Sequence, residues 1–240
     1  MSGTLLVRGA RQLLTLQGGA EPRRGLALQE LGIIRDGAVL IDDGHIVEVG
    51  TSRRVENLAL ACGCQEIDAT GRVVMPGFVD CHTHLFSGAP HLDASEEPAS
   101  RAAEDIDEPH ESMPGALRIT SAKRLESRAR QFIHGMVRHG TTTLGAGSGY
   151  GLDLRTELKI LRVHEKLNGA PLDIASSFFA SLTTPAALES FSGLLPVIRR
   201  RSLARFAGVC CNEQDPNLEQ SRAYLEAARS LGFQLRVQAG

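Results

Sequence analysis

The chain has 240 residues, 42% hydrophobic and 22% charged, with 26 basic against 28 acidic side chains and a formal net charge of −2 at pH 7. This is a globular composition with material for one large core or two modest ones. It leaves no basic surface to drive nucleic-acid or anionic-membrane binding. No apolar run approaches the roughly 18 residues of a transmembrane helix, and the absence of Trp removes the usual base-stacking platforms. The N-terminal stretch breaks its apolar residues with Arg8, Arg11 and Gln12 and lacks a clear cleavage site, so no secretory signal and a cytoplasmic location are expected, with no nucleic acid and no membrane as partners.

From Leu5 to Val74 short alternating apolar segments are separated by turn formers, the pattern of β-hairpins. Asp36-Gly37 and Asp43-Gly44 are both predicted as two-residue turns, because Gly tolerates the positive φ such turns need. Residues 1–75 are expected to form a small, sandwich-like β domain or a part of one. The cysteines, Cys62, Cys64, Cys81, Cys210 and Cys211, are odd in number and scattered, so reduced thiols are expected instead of a disulfide framework. Cys62-Gly-Cys64 is spaced too closely for a structural zinc pair.

After Pro76-Gly77 the pattern changes to strand, loop and helix in repetition, over residues 76–240. Phe78–Leu85 reads as a buried strand and Phe86 to Pro114 as a long acidic loop. A helix starts at Ser121, with Leu125, Ala129, Phe132, Ile133 and Met136 at helical spacing, and ends at His139-Gly140. Thr141–Leu144 is a strand. Asp153 caps a helix carrying Leu154, Leu158, Leu161 and Leu167, which stops at Asn168-Gly169. Leu172–Leu182 is a strand, Pro185 to Ser202 helical material interrupted at Gly193 and Pro196, and Phe206–Cys211 a strand. A helix from Asn217 and a strand over Phe233–Ala239 follow. Strands separated by helices imply a parallel sheet covered by helices, as a barrel or an open doubly wound sheet. No phosphate-cradling glycine motif occurs, so nucleotide binding is not expected.

The sharpest feature is PGFVDCHTHL, residues 76–85. Strand periodicity turns Asp80, His82 and His84 to one side and Cys81, Thr83 and Leu85 to the other. Two imidazoles at i and i+2 near the C-terminal end of a parallel strand can converge on one cation, with Asp80 placed to orient a ligand. The bland alternative, two polar residues leaving a strand into solvent, fits an isolated histidine better than this pair. Zinc normally takes three protein ligands and a water. His45 lies in a hairpin, and His134, His139 and His164 are expected to be solvated on or after helices. A third ligand from this chain is then His91 or His110 of the long loop, or a carboxylate such as Glu213 or Asp215.

PGFVDCHTHL resembles the first barrel strand of the amidohydrolase superfamily, and GTTTLGAGSGYGLDLRTELKILRV, residues 140–163, is similar to the imidazolonepropionases. The resemblance runs along nearly the whole chain. It implies an amidohydrolase-type (β/α)8 barrel with a small β domain, one divalent ion, Zn2+ or Fe, and a small heterocyclic substrate opened by hydrolysis of a cyclic amide C–N bond. A homodimer is compatible with it. His82 and His84 match the paired metal ligands and Tyr150 a substrate-contacting tyrosine, while His91 stands where an arginine is usual, which makes Tyr150 and His91 the substrate-binding candidates. Leu182 replaces a family histidine, Gln238 aligns with the third metal histidine, and Gly147 stands in place of a lysine. No counterpart of the general base is found.

Those departures keep two further readings open: an amidohydrolase-like chain that serves as a binding or scaffold protein, and a related hydrolase of different substrate that uses His91, His110 or Glu213 in replacement roles. With about 75 residues in the β part, about 165 remain for a barrel that typically takes ~250. About five strands are visible, so a truncated or divergent half-barrel is expected.

Overall fold

The structure, a computed structural model, describes residues 3–19, 21–86, 113–148, 153–182, 184–211 and 218–239. The chain divides into two compact units, Met1–Pro76 and Gly77–Gly240. Among the described residues no helix is long and apolar enough to cross a membrane.

The first unit is built on β1 (Thr4–Leu14), β2 (Ile33–Asp42), β3 (His45–Thr51), the short helix α1 (Ser52–Glu56), β4 (Gln65–Asp68) and β5 (Val73–Val74). The strands form one sheet in the order β3-β2-β1-β4, with β5 also paired to β1. Asp43-Gly44 makes the β2–β3 hairpin turn with φ of 45° and 79°, the left-handed pair that matches strand twist. Asp36-Gly37 behaves differently from the expected turn: it lies inside β2. A Cβ at Gly37 would collide with Leu13 of β1, so this glycine serves close strand approach. Ser52 ties the site down, its Oγ donating to the Asp36 carbonyl at 3.1 Å and accepting from the Gly9 N–H at 3.0 Å. Leu6, Ala38, Leu40, Val55 and Ala61 form one core cluster of this unit.

The second unit runs β6 (Phe78–Thr83), α2 (Met113–Ile119), α3 (Ala122–Arg138), β7 (Thr141–Gly147), α4 (Leu154–Leu167), β8 (Asp173–Ala180), α5 (Pro185–Arg200), β9 (Phe206–Cys211), α6 (Leu218–Ser230) and β10 (Gln234–Ala239). All its strand pairings are parallel and the order is β10-β9-β8-β7-β6. A doubly wound sheet reverses its strand order part-way, whereas a barrel keeps neighbours sequential; here the sequential order selects the barrel type. The sheet is strongly curled. Five strands laid flat would separate the two edges by roughly 19 Å at ~4.8 Å per step, yet Arg236 Nη1 of β10 donates to the Cys81 carbonyl of β6 at 3.0 Å.

Alternation along the strands separates two faces. Leu144 and Ala146 of β7 pack with Leu125, Ala129 and Ile133 of α3 and Ile160 of α4. Phe178 and Ala180 of β8 and Ala207 and Val209 of β9 pack with Leu195, Ile198, Tyr224 and Ala228 of α5 and α6. By the period of two, Gly145, Gly147, Ser177, Phe179 and Gly208 face the concave side. The helices start at side-chain caps: Ser121 accepts from the Arg124 N–H, Asp153 from Thr156 and Thr184 from Ala187.

Three sequence expectations are corrected in this unit. The segment from Pro185 is one continuous helix to Arg200, with Pro196 inside it. Buried Phe191, Leu195 and Ile198 recur at helical spacing, and burying three such side chains, at about 1.5–3 kcal/mol each, outweighs the ~3 kcal/mol of an interior proline and the ~1 kcal/mol of Gly193. Met113 and Pro114 belong to α2 instead of the loop, and β6 ends at Thr83, short of Leu85, and is largely exposed instead of buried, Phe78 and Val79 included.

Candidate metal centre

β6 delivers His82 near its end, and His84 follows directly after it. The two rings lie edge to face with centroids 5.2 Å apart at 76°. Two imidazoles sharing one tetrahedral ion at N–metal distances of about 2.0–2.1 Å have centroids roughly 5 Å apart, so the spacing suits a shared cation. His82 is exposed and His84 half-buried. Opposite them Gly147 leaves room: a Cβ there would stand 3.5 Å from His84 Cε1. Two imidazoles on an open concave face are a donor set that fits zinc or iron.

Asp80 meets His82 through the backbone, its Oδ1 accepting from the His82 N–H at 3.2 Å. The carboxylate therefore shapes the strand end, where the β6–β7 register shifts between Asp80 and Thr83. Among the described residues no group of three or more His, Cys, Asp and Glu comes together. The candidate third ligands His91, His110, Glu213 and Asp215 and the substrate candidates Tyr150 and His91 lie outside the described residues. Leu182 is buried in the α5–α6 core. Gln238 lies on β10 with its Oε1 accepting from the Cys210 thiol at 3.5 Å, a thiol whose pKa is raised by burial and then by the neighbouring Cys211.

Beyond His84 the chain turns its apolar residues to the outer core, where Leu85 and Phe86 join Leu125, Ile133 and Ile160. There Phe86 stacks on His164, with centroids 5.7 Å apart at 7°. His45 is exposed, and His134 and His139 are exposed as expected, but His164 is fully buried, correcting its expected place in solvent. Burial, and then the nearby His84, depress its pKa to about 3, so its ring is neutral near pH 7. Among the described residues neither ring nitrogen has a hydrogen-bond partner. Glu157, seven residues earlier on α4, is also buried. Its charge adds to burial in raising the pKa of the Tyr224 hydroxyl, which donates to the Phe178 carbonyl at 3.3 Å. Glu157, Leu161 and His164 share one helical stripe, a periodicity that the reading of leucines alone passes over. An apolar groove between α6 and β10, lined by Leu218, Leu225, Leu235 and Val237, holds no residue of the histidine site.

A profile of the amidohydrolase family matches residues 65–111. The imidazolonepropionase of Solibacter usitatus is 36% identical over 100% of this chain and 60% of its own length. Along its full length the chain is similar to imidazolonepropionases. It spans about 60% of the length of the curated relatives it matches. Among solved structures, a triazine hydrolase variant matches with a TM-score of 0.67 at 16% identity, over 98% of this chain and 52% of that one. The atrazine chlorohydrolase TrzN from Arthrobacter aurescens, complexed with zinc, matches with a TM-score of 0.64 at 18% identity, over 97% and 52%. At these identities the likeness establishes the fold, an amidohydrolase barrel of which β6–β10 form five consecutive strands.

Proposed function

We propose that the chain carries the paired-histidine part of a metal-dependent hydrolase that opens a cyclic amide C–N bond, with 4-imidazolone-5-propanoate as substrate and N-formimidoyl-L-glutamate as product. The observation that carries the reading is the His82–His84 pair, 5.2 Å apart, in a chain whose full length aligns with imidazolonepropionases. His82 and His84 would hold one divalent ion, Zn2+ or Fe. When bound, such an ion supplies Lewis acidity and lowers the pKa of a coordinated water to about 7. Asp80 keeps the end of β6 in the shape that presents both rings. Tyr150 and His91, by resemblance, hold the substrate, a small heterocyclic acid, and cytoplasmic residence is part of the same reading.

Leu182 supports a second reading, in which the chain binds without turning over. It sits in the apolar core, 7% exposed, and an alkyl side chain transfers no proton. Metal content and turnover separate the two. We expect the purified protein to take up about one equivalent of Zn2+ or Fe2+, and His82→Ala to lose it with unchanged far-UV circular dichroism. Full metal content in the variant refutes the pair as ligands. Hydrolysis of imidazolone propanoate by the loaded protein supports the enzyme, whereas metal uptake without hydrolysis supports the binding protein.

A further inference from the structure

Phe179 is the one large apolar side chain of β8 that turns away from the helices. Its neighbours Phe178 and Ala180 enter the core with α5 and α6, while Phe179, 4% exposed, lies on the concave side with its ring 6.3 Å from that of His82 at an interplanar angle of 78°. The neighbouring strand β9 makes room for it at Gly208. A Cβ at Gly208 of β9 would stand 2.7 Å from Phe179 Cε1, closer than side chains tolerate, and one at Gly147 of β7 would stand 3.4 Å from the ring and 3.5 Å from His84 Cε1. The ring thus occupies space that Gly208 leaves open, with Gly147 on the opposite strand at van der Waals reach, and lies edge-on to the first histidine. Edge-to-face packing of this kind restricts ring rotation at little cost, and restraint of an imidazole by its neighbours governs how well it ligates.

We propose that Phe179, seated between Gly147 and Gly208, is a positioning residue that fixes the orientation of the His82 ring for cation binding. The proposal rests on the reading of His82 and His84 as ligands, and its test separates the two. Ring resonances of His82 are recorded by long-range 1H–15N correlation on the metal-free full chain, assigned with His82→Asn, and Co2+ binding is followed by its visible absorption. Phe179→Leu is expected to move the His82 ring resonances in the metal-free protein and, where the parent binds Co2+, to weaken binding about tenfold or more. Gly208→Ala, which pushes on the same ring, is expected to move the same resonances, and to move them far less in the Phe179→Leu background. Unmoved His82 resonances in Phe179→Leu, with circular dichroism showing the variant folded, overturn the proposal. If Phe179→Leu does not fold, Gly208→Ala decides by the same resonances. A parent that takes up no Co2+ refutes the ligand reading, and the metal-free resonances then decide the role of Phe179 alone.

Discussion

His164 concentrates the energetic tension of the second unit in one side chain: a fully buried imidazole, stacked on Phe86, with a pKa of about 3. An unfolded chain takes up that proton near pH 6.5, and the folded one resists it. The stabilisation from keeping His164 neutral is therefore fully present above about pH 6.5 and is lost as the pH falls from there towards 3. We expect the Tm to decline over that interval, and to decline less steeply in His164→Leu, a difference visible in melts at a series of pH values. Equal slopes in both proteins would place the acid sensitivity elsewhere. Tyr224, whose pKa is raised by burial and Glu157, stays protonated through the same interval.

At the scale of elements, helix caps and the succession of strands and helices were legible and interior exceptions were not. Asp153 was readable because a carboxylate before an apolar-periodic run has one common structural use. Its Oδ1 accepts from the Thr156 N–H at 3.0 Å and Arg118 donates to its Oδ2 at 3.1 Å. Asp153→Ala is expected to cost about 1 kcal/mol, read as a lower Tm. The backbone hydrogen bond from Thr156 leads the causes that depress the carboxyl pKa, so the cap contributes above the ordinary carboxylate range and fades as the pH falls through its lowered value. Pro196 was misleading for the converse reason. Local preference marks a break there, but the α5 face of Phe191, Leu195 and Ile198 is settled by packing between elements far apart in sequence. Pro196→Ala should restore the hydrogen bond that the Ser192 carbonyl lacks and raise stability by about 1–3 kcal/mol, measurable by denaturant melts. A loss of stability would show that the proline ring itself is packed to advantage. Phe179 escaped notice on similar grounds: its direction depends on which face of β8 is concave, and no residue within that strand records this.

Over the whole second unit, the repeated strand–helix grammar sufficed for a parallel sheet covered by helices, while the barrel type was implied by the resemblance alone and is selected by the sequential strand order. Curvature did not follow, because it depends on how five strands twist together and on glycines such as Gly208, where a Cβ would collide with Phe179, and Gly145, where it would collide with the Cys81 carbonyl and crowd the Arg236 guanidinium. The same guanidinium lies over the Phe206 ring at 4.1 Å and donates to the Cys81 carbonyl. That bond joins residues 155 apart in the chain, whereas the backbone pairings of the sheet join successive strands. Its consequence is kinetic. Each β–α step can add to the one before it by closing a short loop, but the Arg236 link forms only when all five strands are in place, and its loop-closure cost is the largest in the sheet. A contact made that late belongs to the native side of the folding barrier. Arg236→Ala is accordingly expected to speed unfolding while leaving the refolding rate nearly unchanged, in stopped-flow measurements against denaturant concentration. A slowed refolding limb would instead mean that the sheet curls before its last strand arrives.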